Sequence, residues 1–124
     1  MTQFKYFFVV LRCDNRIRAS INGSEIYNKY VDFDPAMNDK VEITNYLQSS
    51  PSTNVLNVQA FNGQTVIDTP AQFNPYHFTY NVQKVNNTTG EITIIASNDL
   101  YGAPQTQITA EHLVMSWSHV IVRE

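Results

Sequence analysis

From Tyr76 to Val85 the chain alternates without a break. Tyr76, Phe78, Tyr80 and Val82 fall on one side, and His77, Thr79, Asn81 and Gln83 on the other. Successive side chains of an extended strand point to opposite faces, so this rhythm of two specifies a half-buried β-strand. The same rhythm recurs along the chain. Ile17, Ala19 and Ile21 oppose Arg16, Arg18 and Ser20; Leu56, Val58 and Ala60 oppose Asn57 and Gln59; Ile92, Ile94 and Ala96 are the inward set of Glu91–Ser97. Phe4–Arg12 is apolar on both faces and reads as a central strand. Glu25–Tyr27, Val41–Ile43 and His112–Val122 complete about eight short strands.

The connections fit this picture. Asn22-Gly23 between two extended runs tolerates the positive φ angles of a type I′ hairpin turn. Asn86–Gly90 reads as a hairpin loop, while Asn28–Lys40 and Asn98–Thr109 read as longer loops. Thr44–Gln48 can form one helical turn capped by Thr44, and no segment has a convincing amphipathic helical pattern. Short strands separated by turn signals predict an all-β sandwich or barrel. With no internal repeat or linker, residues 1–124 are expected to form a single β-sandwich domain.

Charge narrows the function. Charged residues make up only 15% of the chain, against a usual figure of about 25%, so amides and hydroxyls must supply much of the polar surface. The net charge is −3, and the densest basic stretch, Arg12, Arg16 and Arg18, is interrupted by Asp14; nucleic acid is not an expected partner. Phe7–Leu11 is too short an apolar run to span a bilayer. No signal peptide is visible, which makes the cytoplasm the default place of synthesis. Cys13 is the single cysteine, so it has no intramolecular disulfide partner and reads as a small buried hydrophobe.

Ile17–Ile26, Val41–Leu47 and Asn54–Asn62 together resemble the galactose-binding-like jelly-roll superfamily, which includes many carbohydrate-binding modules. The resemblance lies in the order of features: a strand into an Asn-Gly turn, an Ile-Thr-x-x-Leu corner, then an Asn-x-Leu strand closing on Asn. It implies a jelly-roll β-sandwich of antiparallel strands and a role in carbohydrate recognition. Ser52-Thr53 stands where the family carries a glycine before the third of these segments.

Candidate chemistry is sparse. Tyr30, Asp32, Asn98, Asp99 and Tyr101 combine aromatic faces with hydroxyl-binding groups near expected loops, the combination a sugar needs. Asp32, Asp34, Asn38 and Asp39 crowd oxygen donors into one loop and form a weak candidate Ca²⁺ site, although their spacing is not that of an EF-hand. His112 and His119 are seven apart and point to opposite faces of a regular strand, so they cannot share a metal without a bulge. There is no Gly-x-Ser-x-Gly elbow, Gly-rich phosphate loop or Cys–His pairing. The expectation is a non-catalytic recognition module with no resident cofactor other than the candidate Ca²⁺. It binds carbohydrate through loops at one end of the sandwich. The alternative is a structural or assembly subunit making protein–protein contacts, as a homo-oligomer or within a phage particle or other complex.

Overall fold

The computed structural model describes residues 3–31, 36–63, 76–102 and 111–124. Seven strands carry these residues: β1 Phe4–Ile21, β2 Ser24–Val31, β3 Asp39–Glu42, β4 Asn54–Asn62, β5 Tyr76–Asn86, β6 Ile92–Gly102 and β7 His112–Ile121. All ladders between them are antiparallel. They form a curled sheet ordered β6-β5-β1-β4-β7, with β2 and β3 each paired to β1. No helix among the described residues is long and apolar enough to cross a membrane.

The two expected strands Phe4–Arg12 and Arg16–Asn22 are one strand, which accounts for the count of seven. β1 pairs with β3 and β5 through its first half, as far as Asp14 opposite His77. From Asn15 it pairs with β2, and from Arg16 with β4. Asp14 and Asn15, which resemble a turn in sequence, are buried. Ladder pairing on both sides of them outweighs their preference for turns. Asn15 is also fixed by its side chain, whose Oδ1 accepts the Gly63 amide at 3.0 Å.

A register shift at Leu11 lets β1 serve one core from both halves. Tyr6, Phe8 and Val10 point inward before it; Cys13, Ile17, Ala19 and Ile21 do so after it. One extra residue reverses which members of an alternating run face the core. These side chains join Leu56, Val58 and Ala60 of β4 and Phe78, Tyr80 and Val82 of β5 in a single buried cluster. The expected faces of β4 and β5 are therefore observed.

A second shift corrects the expectation for β6. Gln83 pairs with Ile94 and Val82 with Ala96, leaving Ile95 as the extra residue. Ala96 stays on the inner side, whereas Ile92 and Ile94 turn outward and are about half exposed, at 53% and 49%.

The turns follow the local chemistry. Asn22 and Gly23 both have positive φ, at 50° and 87°, and join β1 to β2 in the expected two-residue hairpin. In the Asn86–Gly90 loop the Asn86 side chain accepts the amides of Thr88 and Thr89. Thr44–Tyr46 forms a 3₁₀ turn, but Thr44 does not cap it; its hydroxyl accepts the Tyr6 amide at 2.9 Å, tying the corner to β1.

Candidate functional site

Directly opposed residues of a ladder share a face. The register therefore lays three rows across the outer surface of β2, β1, β4 and β7. Arg16 is flanked by Tyr30 and Phe61; Arg18 by Asn28 and Gln59, with Ser116 beyond; Ser20 by Glu25 and Asn57, with Ser118 beyond. Over the second and third rows lies a depression of about 460 Å³, lined by Arg18, Ser20, Glu25, Asn57, Gln59 and Ser116. That volume falls within the range of about 300–1,000 Å³ usual for small-molecule sites.

The lining is polar and largely neutral. Arg18 and Glu25 pair across it at 3.2 Å and are each about half exposed. An ion pair this open to water contributes little stability, so both groups can exchange partners at small cost. Ser118 donates to Asn57 Oδ1 at 2.6 Å, and the other end of that amide, Nδ2, is a donor. Alongside this polar floor, Arg16 stacks over the Tyr30 ring at 5.5 Å and donates to Asn28 Oδ1 at 2.7 Å and to Glu111 at 3.0 Å. Amide, hydroxyl and guanidinium groups thus border an aromatic face on one surface. Among the described residues that line the depression, Glu25 is the one carboxylate.

The residues singled out from the sequence are divided among three places. Tyr30 is in β2 rather than in a loop, because pairing with Arg16 extends the strand to Val31; its hydroxyl donates to the Gly63 carbonyl at 3.3 Å. Asn98, Asp99 and Tyr101 are also strand residues, since β5 carries the β6 ladder on to Gly102. They face opposite ways. Asn98 points inward, donating to the Tyr80 hydroxyl at 2.8 Å with His119 Nε2 at 3.3 Å. Asp99 and Tyr101 lie on the outer face with His77. The Asp99 carboxylate accepts Thr79 at 2.7 Å and meets His77 at 2.8 Å, and the Tyr101 ring meets the His77 ring edge-on at 5.8 Å. The Thr79 hydroxyl, followed by His77, holds Asp99 below the usual carboxylate range.

Asp32 and Asp34 lie outside the described residues. Of the other two calcium candidates, Asn38 is exposed, and Asp39 begins β3 instead of remaining in a loop. Asp39 Oδ2 accepts Tyr27 at 2.8 Å and Lys29 at 3.1 Å, contacts that keep its carboxyl below its ordinary value. This oxygen already serves the β2–β3 contact. Among the described residues no cluster of three or more His, Cys, Asp or Glu side chains could hold a metal.

The two histidines of β7 differ from the expectation in one respect. Val114 is the extra residue of a register shift between Ala60 and Phe61, so His112 and His119 share a face. They stand opposite Asn62 and Leu56, six residues apart on β4 and thus about 20 Å distant, too far to share an ion.

The sequence reading did not single out Arg18, Ser20, Glu25, Asn57, Gln59 and Ser116 as a site. Each was legible as the polar side of its own strand. What brings them together is the order β2-β1-β4-β7, which no local signal contains. No family model matches the chain, and neither does any curated protein or solved structure.

Proposed function

We propose that this protein is a non-catalytic recognition module for a neutral, polyhydroxylated ligand of the carbohydrate class, bound on the outer face of β2-β1-β4-β7. The depression over Arg18, Ser20, Asn57, Gln59 and Ser116 carries this reading, because it offers donors and acceptors with almost no net charge. Sugar hydroxyls need such groups. The site differs from the end-loop placement expected from sequence: it lies on a sheet surface, and none of the residues expected from sequence lines it. A jelly-roll arrangement of the galactose-binding-like kind belongs to the same proposal. It is supported by the Asn22-Gly23 hairpin, the Thr44–Tyr46 corner and the Asn54–Asn62 strand, which occupy the positions that carry the resemblance.

A glycan array followed by calorimetry, with and without Ca²⁺, tests the reading. Binding of a neutral glycan that is lost in Asn57→Ala and Gln59→Ala, with folding unchanged, is the expected result. Absence of binding to any glycan would overturn it.

A second reading, an assembly subunit, is favoured by a different observation. Ile92, Ile94 and Tyr101 on β6 and Leu113, Met115 and Val120 on β7 are exposed apolar residues on the two terminal strands of the sheet. Light scattering separates the readings, because a stable oligomer that ignores sugars supports assembly.

A further inference from the structure

We infer that Asn22 is a site of spontaneous deamidation, and that its conversion to a carboxylate loosens the seam closed by Asn54. The inference is independent of what the protein binds. The chain contains two Asn-Gly pairs, Asn22-Gly23 and Asn62-Gly63. Asparagine before glycine is prone to this reaction because no side chain on the following residue shields its amide nitrogen. The glycine nitrogen attacks Cγ of the asparagine. The N–Cγ bond forms, the Cγ–Nδ2 bond breaks, and ammonia leaves with the proton lost from the glycine amide. Water then opens the resulting succinimide at either carbonyl, giving aspartate or isoaspartate. One water is consumed, one ammonia is released, and nothing is oxidised or reduced.

Both pairs have the same local chemistry, and the fold separates them. Asn62 and Gly63 are buried, and the Gly63 amide donates to Oδ1 of buried Asn15 at 3.0 Å. The nucleophile there is held in a hydrogen bond inside the sheet. Asn22 and Gly23 are exposed at the tip of the β1–β2 hairpin, and nothing stands within 4 Å of where a Gly23 Cβ would lie. Ring closure requires the Asn22 side chain to leave two hydrogen bonds, one from the Val55 amide and one to Asn54 Oδ1, both at 2.9 Å. Fraying of an exposed hairpin tip supplies that opening at small cost, whereas Asn62 and Gly63 are freed only when buried contacts open.

Conversion then acts on Asn54. Asn22 Nδ2 is a donor to Asn54 Oδ1, and a carboxylate oxygen in its place sets a negative acceptor against another acceptor. Asn54 cannot answer by turning its amide over, since its Nδ2 already donates to the carbonyls of Gln48 and Ile121.

Peptide mass spectrometry of the full chain, aged in mildly alkaline buffer, tests this, with Asn22 read in the tryptic peptide spanning residues 19–29. In the native chain Asn22 should convert at least about tenfold faster than Asn62, and in concentrated urea the two should convert at similar rates. The converted chain carries an added negative charge and separates by ion exchange. It should unfold at a lower urea concentration than the unconverted chain, and Asn22→Asp should reproduce the shift of the aspartate form. If Asn22→Asp does not fold, the separated fractions of the aged native chain supply the comparison alone. Native conversion of Asn62 as fast as Asn22, or an Asn22 that stays intact in the native chain while it converts in urea, would overturn the site. A converted chain as stable as the unconverted one would overturn the link to Asn54.

Discussion

The Tyr80 hydroxyl lies 2.7 Å from His119 Nε2, and this contact joins β5 to β7 across the curl of the sheet. Asn98 Nδ2 donates to the same hydroxyl at 2.8 Å and lies 3.3 Å from the same imidazole nitrogen. Burial pushes the Tyr80 phenol up to about 12, so it remains protonated and donates. A neutral imidazole with its proton on Nδ1 can accept at Nε2 from both neighbours. The sheet ends are thus linked by one uncharged histidine.

That link sets a pH dependence. Burial lowers the His119 pKa from its ordinary 6.5, so between the folded and unfolded values the unfolded chain binds more protons. Stability from this group is complete above 6.5 and declines as pH falls through the depressed folded value. Thermal melts of the native chain should show the decline starting below 6.5. His119→Gln should flatten that segment of the profile. Trp117, the single tryptophan, packs on the Tyr80 ring at 5.5 Å, so its fluorescence should follow the same transition.

Burial also controls Cys13. The side chain is fully buried, and its thiol donates toward the Asn15 carbonyl at 3.5 Å. Burial raises its pKa from 9.0 to about 12, and the thiolate is the reactive form. At pH 8 a disulfide reagent should therefore modify the native chain at least about a thousandfold more slowly than the denatured chain. One thiol per chain should appear on unfolding. Rapid native labelling would mean that β1 opens at its midpoint.

How far the sequence was legible depended on parity. Where alternation is undisturbed, as in Phe78, Tyr80 and Val82 or Leu56, Val58 and Ala60, the predicted inward residues are buried. Prediction failed where an extra residue shifts register. Leu11, Ile95 and Val114 are ordinary strand formers, and nothing in their types marks them as bulged. Each shift arises because partner strands must match twist and length, a constraint set by residues distant in sequence. The same limit hid the candidate site. Tyr30, Arg16 and Phe61 form one row through two ladders, with Arg16 and Phe61 separated by the end of β1, all of β2 and β3, and most of β4. Strand propensity explains each of these residues singly, but their adjacency follows from topology.

Two glycines should respond differently to Ala. Gly23 has φ of +87° and open space where a Cβ would go, so Gly23→Ala carries only the backbone penalty, about 1 kcal/mol. At Gly102 a Cβ would stand 2.2 Å from Cζ of Tyr76, whose ring packs on Phe78 at 5.6 Å. Gly102→Ala must displace that ring, and overpacking of this kind costs about 1–3 kcal/mol. Urea denaturation of both variants measures the difference. Equal costs would show that Tyr76 moves aside freely.

Asn54 fastens the opposite end of the sheet. It is fully buried, and its Oδ1 accepts the Gln48 amide at 2.7 Å and Asn22 Nδ2 at 2.9 Å. Its Nδ2 donates to the carbonyls of Gln48 and Ile121, both at 3.1 Å. One side chain thereby holds the β1–β2 hairpin, the segment before β4 and the end of β7. Asn54→Leu keeps roughly the volume but strands the Ile121 carbonyl, and a buried group left without a partner costs about 1–3 kcal/mol, whereas the amide of exposed Gln48 can turn to water. A loss of about 2 kcal/mol is expected from urea denaturation, with Asn54→Asp also damaging because its carboxylate would face two carbonyls. Loss in this range, accompanied by faster hydrogen exchange at Ile121, would show that the closing end of β7 depends on this amide. A change below about 0.5 kcal/mol would mean that water replaces every one of its contacts.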